Sequence, residues 1–138
     1  MLLVLCLGVA LGSHLEKEWI DHPRIEVCPD SNVKITHLST AAKQWENIGH
    51  KFGSITRADD CSNFKPGVIQ IKGDAELNVT RYYALTDTYY NSENILYADI
   101  KVDRHEADNV TILTHELGHA LGYNHVDDVT SIMYYKVK

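Results

Sequence analysis

The fold of this chain is decided by residues 109–125, which read NVTILTHELGHALGYNH. Their apolar spacing predicts a helix from about Val110 to Leu121, with Asp108 or Asn109 as its N-cap. Gly122 follows the last helical residue, where glycine commonly ends a helix. Two histidines and a glutamate lie in the second half of this helix, so it also locates the functional site.

The histidines of this stretch have the spacing of metal ligands. His115 and His119 are one helical turn apart, so both imidazoles can bind one metal ion, and Glu116 lies beside them, where it can act on a water molecule at that metal. His125 follows the helix. Because Gly122 can take a positive φ and turn the chain sharply, His125 can return as a third ligand. Three neutral imidazoles leave one coordination position open, which is the arrangement of a catalytic zinc site.

The alternative interpretation is a group of surface or packed histidines. It would explain one histidine, but not three with a glutamate and a glycine at these offsets. The other five histidines have no metal-type spacing, and we expect them to be solvated or packed: His14, His22, His37, His50 and His105.

The rest of the chain supplies strands and a second helix. Alternating apolar and polar residues predict strands over 24–28, 68–72 and 95–103. An apolar stripe that includes Trp45 predicts a helix over about 39–52. Because strands and helices do not alternate regularly along the chain, their order favours an α+β fold over a doubly wound sheet.

Length and composition set wider bounds. The chain has 138 residues, a formal net charge of −6 and a hydrophobic fraction of 44%. These values are typical of one folded domain. The acidic balance argues against a sequence-independent nucleic-acid binder, which needs Lys and Arg to displace counterions from phosphates.

The first residues predict export. An uncharged apolar run over 2–12 has the length of a signal-peptide core and is too short to span a bilayer, so we divide the chain into a signal peptide, 1–13, and a single catalytic domain, 14–138. The alternative is an N-terminal strand or helix. Removal of the leader leaves Cys28 and Cys61, which can form a disulfide in an oxidising compartment; two free buried thiols are the alternative. We therefore expect a secreted, periplasmic or extracellular protein.

The pattern HExxHxxGxxH over His115–His125 resembles the signature of the metzincins, zinc endopeptidases in which a Met-containing turn follows the third histidine. Ser131-Ile132-Met133-Tyr134 supplies such a turn. The resemblance is closest to the matrixin branch, because the connection from His125 to Met133 is short. Tyr97-Ala98-Asp99-Ile100 is also similar to the matrixin strand that precedes the zinc helix.

This resemblance implies a metzincin-like zincin fold, in which a small twisted mixed sheet and two main helices precede a minimal C-terminal subdomain that ends just after the Met-turn. It implies one catalytic Zn²⁺ held by His115, His119 and His125. Glu116 would be the general base and then the general acid, and Met133 would form an apolar floor. No calcium loop is recognisable, so the resemblance leaves a calcium requirement open.

We expect a monomeric zinc endopeptidase with a protein or peptide substrate, no nucleic-acid partner and no stable membrane span. The substrate would bind extended along an edge strand, which we place at 95–102, with Asp99 and Lys101 at the border of the cleft. Tyr135 follows the Met-turn. By analogy with astacin-like and serralysin-like enzymes, its hydroxyl would stabilise the oxyanion; the alternative is an aromatic ring that packs under the site.

Two other functions use the same residues. One is a non-catalytic zinc-binding interaction module, against which the presence of Glu116 at the base position argues. The other is a zinc amidase acting on cell-wall peptides, against which the sequence offers only the lack of a recognisable wall-binding segment.

Overall fold

A computed structural model describes residues 17–61, 63–74 and 82–135. The predicted signal peptide, 1–13, and His14 lie outside these ranges. In chain order the strands are β1 (Glu18–Trp19), β2 (Arg24–Val27), β3 (Ile55–Arg57), β4 (Val68–Gly73), β5 (Ala84–Tyr90) and β6 (Asn94–Val102). The helices are α1 (Ile35–Glu46) and α2 (Val110–Ala120), with a 3₁₀ turn at Arg104–Glu106. The α+β class predicted from the sequence is confirmed.

The strands form one mixed sheet. β2 pairs in parallel with β3 and β4, and β4 pairs in parallel with β6, whereas β5 pairs antiparallel with β6. The short β1 pairs with the first residues of β6. Ala98 of β6 is opposite both Ile69 of β4 and Thr88 of β5, so these two strands flank β6 on opposite sides.

This pairing corrects one prediction. The strand over 95–102 is not an edge strand, because its residues from Tyr97 to Val102 pair with β4 and β5 at once. Asp99 and Lys101 suggested an exposed face, but Asp99 is buried and accepts a 3.0 Å ion-pair contact from Lys72 of β4. Asp99 therefore balances a charge within the sheet. The strand at the end of the sheet beyond β6 is β5, in a tyrosine-rich stretch to which the sequence pattern assigns no element.

Both helices pack against one face of the sheet. On β2, β4 and β6, Ile25, Ile69 and Ala98 are opposite one another in register. All three are completely buried on the face that the helices cover. From the helices, Leu38, Trp45, Leu117 and other apolar side chains join this core. Burying each large apolar side chain contributes roughly 1.5–3 kcal/mol, so this one layer supplies most of the apolar stabilisation.

The first helix lies earlier in the chain than the predicted 39–52. It begins at Ile35, after an extended Lys34 that makes no side-chain cap, because Ile35 and the buried Leu38 pack against the core. It ends at Glu46, and Gly49 takes a φ of 106°, so the chain leaves the helix there. Packing against the core thus determines where the helix starts, and Gly49 allows the chain to turn away after the helix ends.

Cys28 and Cys61 form a disulfide across 33 positions, with their Cα atoms 5.7 Å apart. The predicted pair is therefore present, and it ties the end of β2 to the loop after β3. In the loop-entropy account such a closure stabilises a domain by about 3–4 kcal/mol. In the ranges that the structure covers, no helix is long and apolar enough to cross a membrane.

Candidate metal centre

Helix α2 begins where the sequence predicts. Asn109 is its N-cap: the side-chain oxygen accepts a hydrogen bond from the Ile112 amide at 3.2 Å. The helix ends at Ala120, and Gly122 takes a φ of 106°. A side chain is strained at this φ, so glycine allows the sharp turn that brings the following residues back toward the helix.

The turn brings three histidines together. The Nε2 atoms of His115, His119 and His125 are 3.0–3.2 Å from one another. Four tetrahedral ligands at the usual zinc–nitrogen distance of about 2.0–2.1 Å would have their nitrogens about 3.3–3.4 Å apart. The three imidazoles therefore already have nearly the spacing that a tetrahedral zinc ion requires.

Backbone carbonyls fix how two of these rings are protonated. The Nδ1 atom of His115 donates to the Ile132 carbonyl at 2.7 Å, and that of His119 donates to the Tyr123 carbonyl at 2.9 Å. Because a carbonyl can only accept, each neutral ring keeps its Nε2 lone pair for a metal. Burial lowers the pKa of both imidazoles, which favours the neutral form that binds metal. Lone pairs that face one another at such distances suit a shared cation.

Glu116 lies beside the cluster, with only 6% of its surface exposed. Its Oε1 accepts a 2.6 Å hydrogen bond from the Thr86 hydroxyl on β5, and its Oε2 is 4.0 Å from Nε2 of His115. Burial raises the pKa of the Glu116 carboxyl, whereas the hydrogen bond from Thr86 and the neighbouring His115 oppose that rise. The carboxylate therefore flanks the metal-binding atoms without belonging to them.

Met133 forms the floor that the resemblance implies. It is completely buried under α2, where a Cβ atom added to Gly118 would collide with its sulfur and with the Trp45 ring. The Trp45 indole N–H in turn donates to the Thr114 carbonyl at 2.7 Å. The glycine within the HELGH segment is thus required by close packing between the helix, Met133 and Trp45.

The turn that carries Met133 also holds the ligands. The Ile132 carbonyl orients His115, and the Met133 carbonyl accepts a 2.9 Å hydrogen bond from the amide of Val126, next to His125. The Ser131 hydroxyl accepts from the Met133 amide at 3.1 Å. Ile132 and Met133 therefore connect this turn to His115 and to the backbone next to His125.

Sequence reasoning missed several residues that support the site. Thr86 lies in a stretch without a clear pattern, and Ile132 and Tyr123 act through their carbonyls, which no side-chain motif reveals. Trp45 was expected only as part of a packing stripe. Only the close packing under α2 had a signal in the sequence, at Gly118. A glycine inside a helix lowers stability, so its presence indicates that a larger side chain would not fit.

The other residues singled out in the sequence are Tyr135 and the histidines outside this cluster. The Tyr135 side chain is 52% exposed, and its ring centre is 4.5 Å from that of Tyr134. His37 is 3.4 Å from Asp108, and His50 shares a 2.7 Å hydrogen bond with the Tyr123 hydroxyl, while His22 and His105 are exposed. These four histidines therefore have the solvated or packing roles that their spacing predicts.

The fold and the site together define a metzincin type of metal centre: a helix with two histidines, a glycine turn that returns a third, and a methionine beneath them. The family model described as Matrixin matches residues 25–138. The chain belongs to the matrixin family. A search of curated proteins returns no match.

Membership of this family has general consequences for the chain. It is a metallopeptidase in the broad sense, and the family implies zinc as the metal that the cluster of His115, His119 and His125 can bind. Matrixins are generally secreted or extracellular, and the disulfide agrees with such a compartment.

Proposed function

We propose that this protein is a zinc-dependent endopeptidase. The observation that carries the proposal is the position of Glu116. A carboxylate oxygen of this residue is 4.0 Å from the metal-binding nitrogen of His115, yet three histidines already supply the ligand set. A module that only retained metal would not need a buried carboxylate there, whereas hydrolysis needs a base at that place.

His115, His119 and His125 would hold the ion through their Nε2 atoms. When bound, zinc lowers the pKa of a coordinated water and polarises a carbonyl oxygen. Glu116 accepts the proton of the attacking water and then delivers it to the leaving amine. Its burial excludes bulk water from the carboxylate, so the proton stays beside the reacting groups.

The substrate in this proposal lies extended along β5 instead of the strand over 95–102. One edge of β5 pairs with β6, and none of the other described strands pairs with it, so backbone groups on its other edge can bond an incoming peptide. Thr86, in the same strand, contacts Glu116. A peptide along β5 would therefore pass next to the base.

Tyr135 has a more limited place in the proposal. We infer that its hydroxyl stabilises the oxyanion of the substrate; the alternative role is that its aromatic ring packs under the site. Tyr135→Phe should lower kcat by about 10- to 100-fold with KM unchanged if the hydroxyl acts in this way. Unchanged kcat would leave the packing role.

We also propose that the protein is secreted after cleavage of a leader at 1–13 and that the catalytic domain over 14–138 acts as a monomer. N-terminal sequencing and light scattering of secreted material test these two statements. A mature chain that still contains the apolar run would overturn the first.

Metal analysis combined with digestion of a mixed peptide library, with and without chelator, tests the main proposal. One equivalent of zinc and chelator-sensitive cleavage within peptides are expected. Glu116→Gln should keep the zinc and lose about 10²- to 10⁴-fold in kcat, the usual contribution of general acid–base catalysis. The matched control is Glu93→Gln at an exposed position of the same chemistry.

Three results would contradict the proposal. If Glu116→Gln cleaves peptides as fast as the parent protein, Glu116 is not the general base. Zinc at one equivalent without cleavage of any library peptide would favour the non-catalytic module, and cleavage of purified cell wall alone would favour the amidase.

A further inference from the structure

We propose that Thr86 is a positioning residue that holds one oxygen of Glu116 and leaves the other free to move the proton. The inference rests on the proposed peptidase function. Thr86 lies on β5 and Glu116 on α2, so the contact joins the strand proposed to bind substrate to the base that would act on it.

The distances give the two carboxylate oxygens different surroundings. Oε1 of Glu116 accepts the hydroxyl of Thr86 at 2.6 Å, a short distance typical of a hydrogen bond to an ionised acceptor. Oε2 lies on the His115 side, 4.0 Å from its Nε2 atom. A carboxylate tied at one oxygen cannot rotate freely, so the same oxygen faces the metal side in each turnover.

The Thr86 hydroxyl has a second acceptor within reach, the backbone carbonyl of Glu116 at 3.3 Å. A hydroxyl has a single hydrogen, and the ionised and nearer Oε1 is the stronger acceptor. The carbonyl of Glu116 is also part of the hydrogen-bonded helix. The hydrogen is therefore directed to the side chain, which distinguishes a positioning role from a mere anchor between β5 and α2.

The position of Thr86 in the register strengthens the inference. It is opposite Ile100, in the middle of the pairing between β5 and β6, so the strand cannot move without moving the hydroxyl. Its side chain is half-buried, as is expected for a group that points into the domain toward α2. A peptide that straightens or shifts β5 would reposition Glu116 at the same time.

Three variants test the assignment. Thr86→Val keeps the shape and removes the hydroxyl, Thr86→Ser keeps the hydroxyl and removes the methyl group, and Thr56→Val makes the same chemical change at an exposed position of β3. We expect Thr86→Val to lower kcat by about 10- to 100-fold, part of the 10²- to 10⁴-fold of general acid–base catalysis, with KM and zinc content unchanged. Thr86→Ser should recover most of the loss, and Thr56→Val should match the parent protein.

A second readout does not depend on activity. The ¹³Cδ resonance of Glu116, assigned by its disappearance in Glu116→Gln, should shift in Thr86→Val and return toward the parent position in Thr86→Ser. Thr56→Val should leave it in place. The measurement is made on the folded full chain, with thermal unfolding used to check that each variant is folded.

The outcomes separate the two proposals. If the parent protein cleaves no peptide but the resonance moves as expected, the peptidase proposal fails and the contact between Thr86 and Glu116 stands. If the parent cleaves peptides and Thr86→Val keeps its kcat, or changes KM alone, the positioning role is wrong. Equal losses in Thr86→Val and Thr86→Ser would also overturn it, because a structural anchor would not distinguish the hydroxyl from the methyl group.

Discussion

Helix α2 and strand β5 meet at Glu116, yet they bring their residues to the site by different means. α2 is capped at Asn109, is buried along most of its length, and carries His115, Glu116 and His119. β5 is half-exposed, with Tyr89 and Tyr90 largely open to solvent, and reaches the site through Thr86. Local sequence therefore places His115, His119 and Glu116, whereas the position of Thr86 depends on pairing between strands that are distant in sequence.

Changes on the α2 side should therefore be severe, whereas changes on β5 away from Thr86 should be mild. The largest effect is expected for His119→Ala, which removes one of the three converging nitrogens and the bond to the Tyr123 carbonyl. Zinc should be lost on dialysis and cleavage should fall below detection. Metal analysis measures the first and a peptide assay the second. His105→Ala, at an exposed position, is the control and should retain both.

Gly118→Ala should be the next most severe. Helix propensity alone favours alanine by about 1 kcal/mol, but the added methyl group meets Met133 and Trp45. We expect a net destabilisation of about 3 kcal/mol, measured by denaturant unfolding. Thr111→Ala, exposed on the same helix, should be nearly neutral. A stabilised Gly118→Ala protein would show that the helix can move away from its floor.

A smaller effect is expected for Trp45→Phe. The change leaves the Thr114 carbonyl without the 2.7 Å bond from the indole and opens space beneath the site. The unfolding free energy should drop by about 2 kcal/mol, because a buried hydrogen bond is lost and the smaller ring leaves space in the core. Zinc stoichiometry should be unchanged. Loss of zinc in this variant would mean that α1 holds the ligands more directly than its contacts indicate.

The smallest effect is expected on β5. Tyr89→Ala removes a 46% exposed ring whose centre is 5.5 Å from that of Tyr97. A loss of about 1 kcal/mol in unfolding free energy is expected, with zinc content and kcat preserved. Tyr82→Ala, exposed and outside the strand, is the matched control. Loss of zinc in Tyr89→Ala would contradict the expected difference between α2 and β5.

The same contrast explains what could be read from the sequence. The zinc helix was predicted to within a residue at its C-terminal end, because an N-cap, an apolar stripe and a terminal glycine all act locally. The glycine turn also followed from local spacing, whereas the methionine floor was implied by the resemblance to the metzincins. Most of the candidate site could therefore be predicted from the sequence over 109–133 alone.

The rest depended on partners distant in sequence. β5 lacks an apolar–polar alternation that matches its burial, because Thr86 and Thr88 lie on its half-buried face and Leu85 on its exposed face. No hydrophobic period therefore identifies it. β6 was predicted as a strand, but its place inside the sheet depends on β4 and β5, which no pattern within β6 reveals. Thr86 could not be linked to Glu116 without knowing that β5 passes beside α2. The missing information was the identity of β5 as a strand, together with the register and order of the strands.

The segment between Gly122 and Tyr134 has a consequence for resistance to degradation. It contains no helix or strand. The bridge between Val126 and Tyr134 closes it into a loop, and the Ile132 carbonyl ties this loop to His115 of α2. A metal shared by His115 and His125 would add a second tie between α2 and this loop, and would act as a removable cross-link in addition to the covalent one at Cys28 and Cys61. A chelator should therefore open this segment to a second protease, while a reductant should loosen the opposite end of the sheet and leave the segment protected.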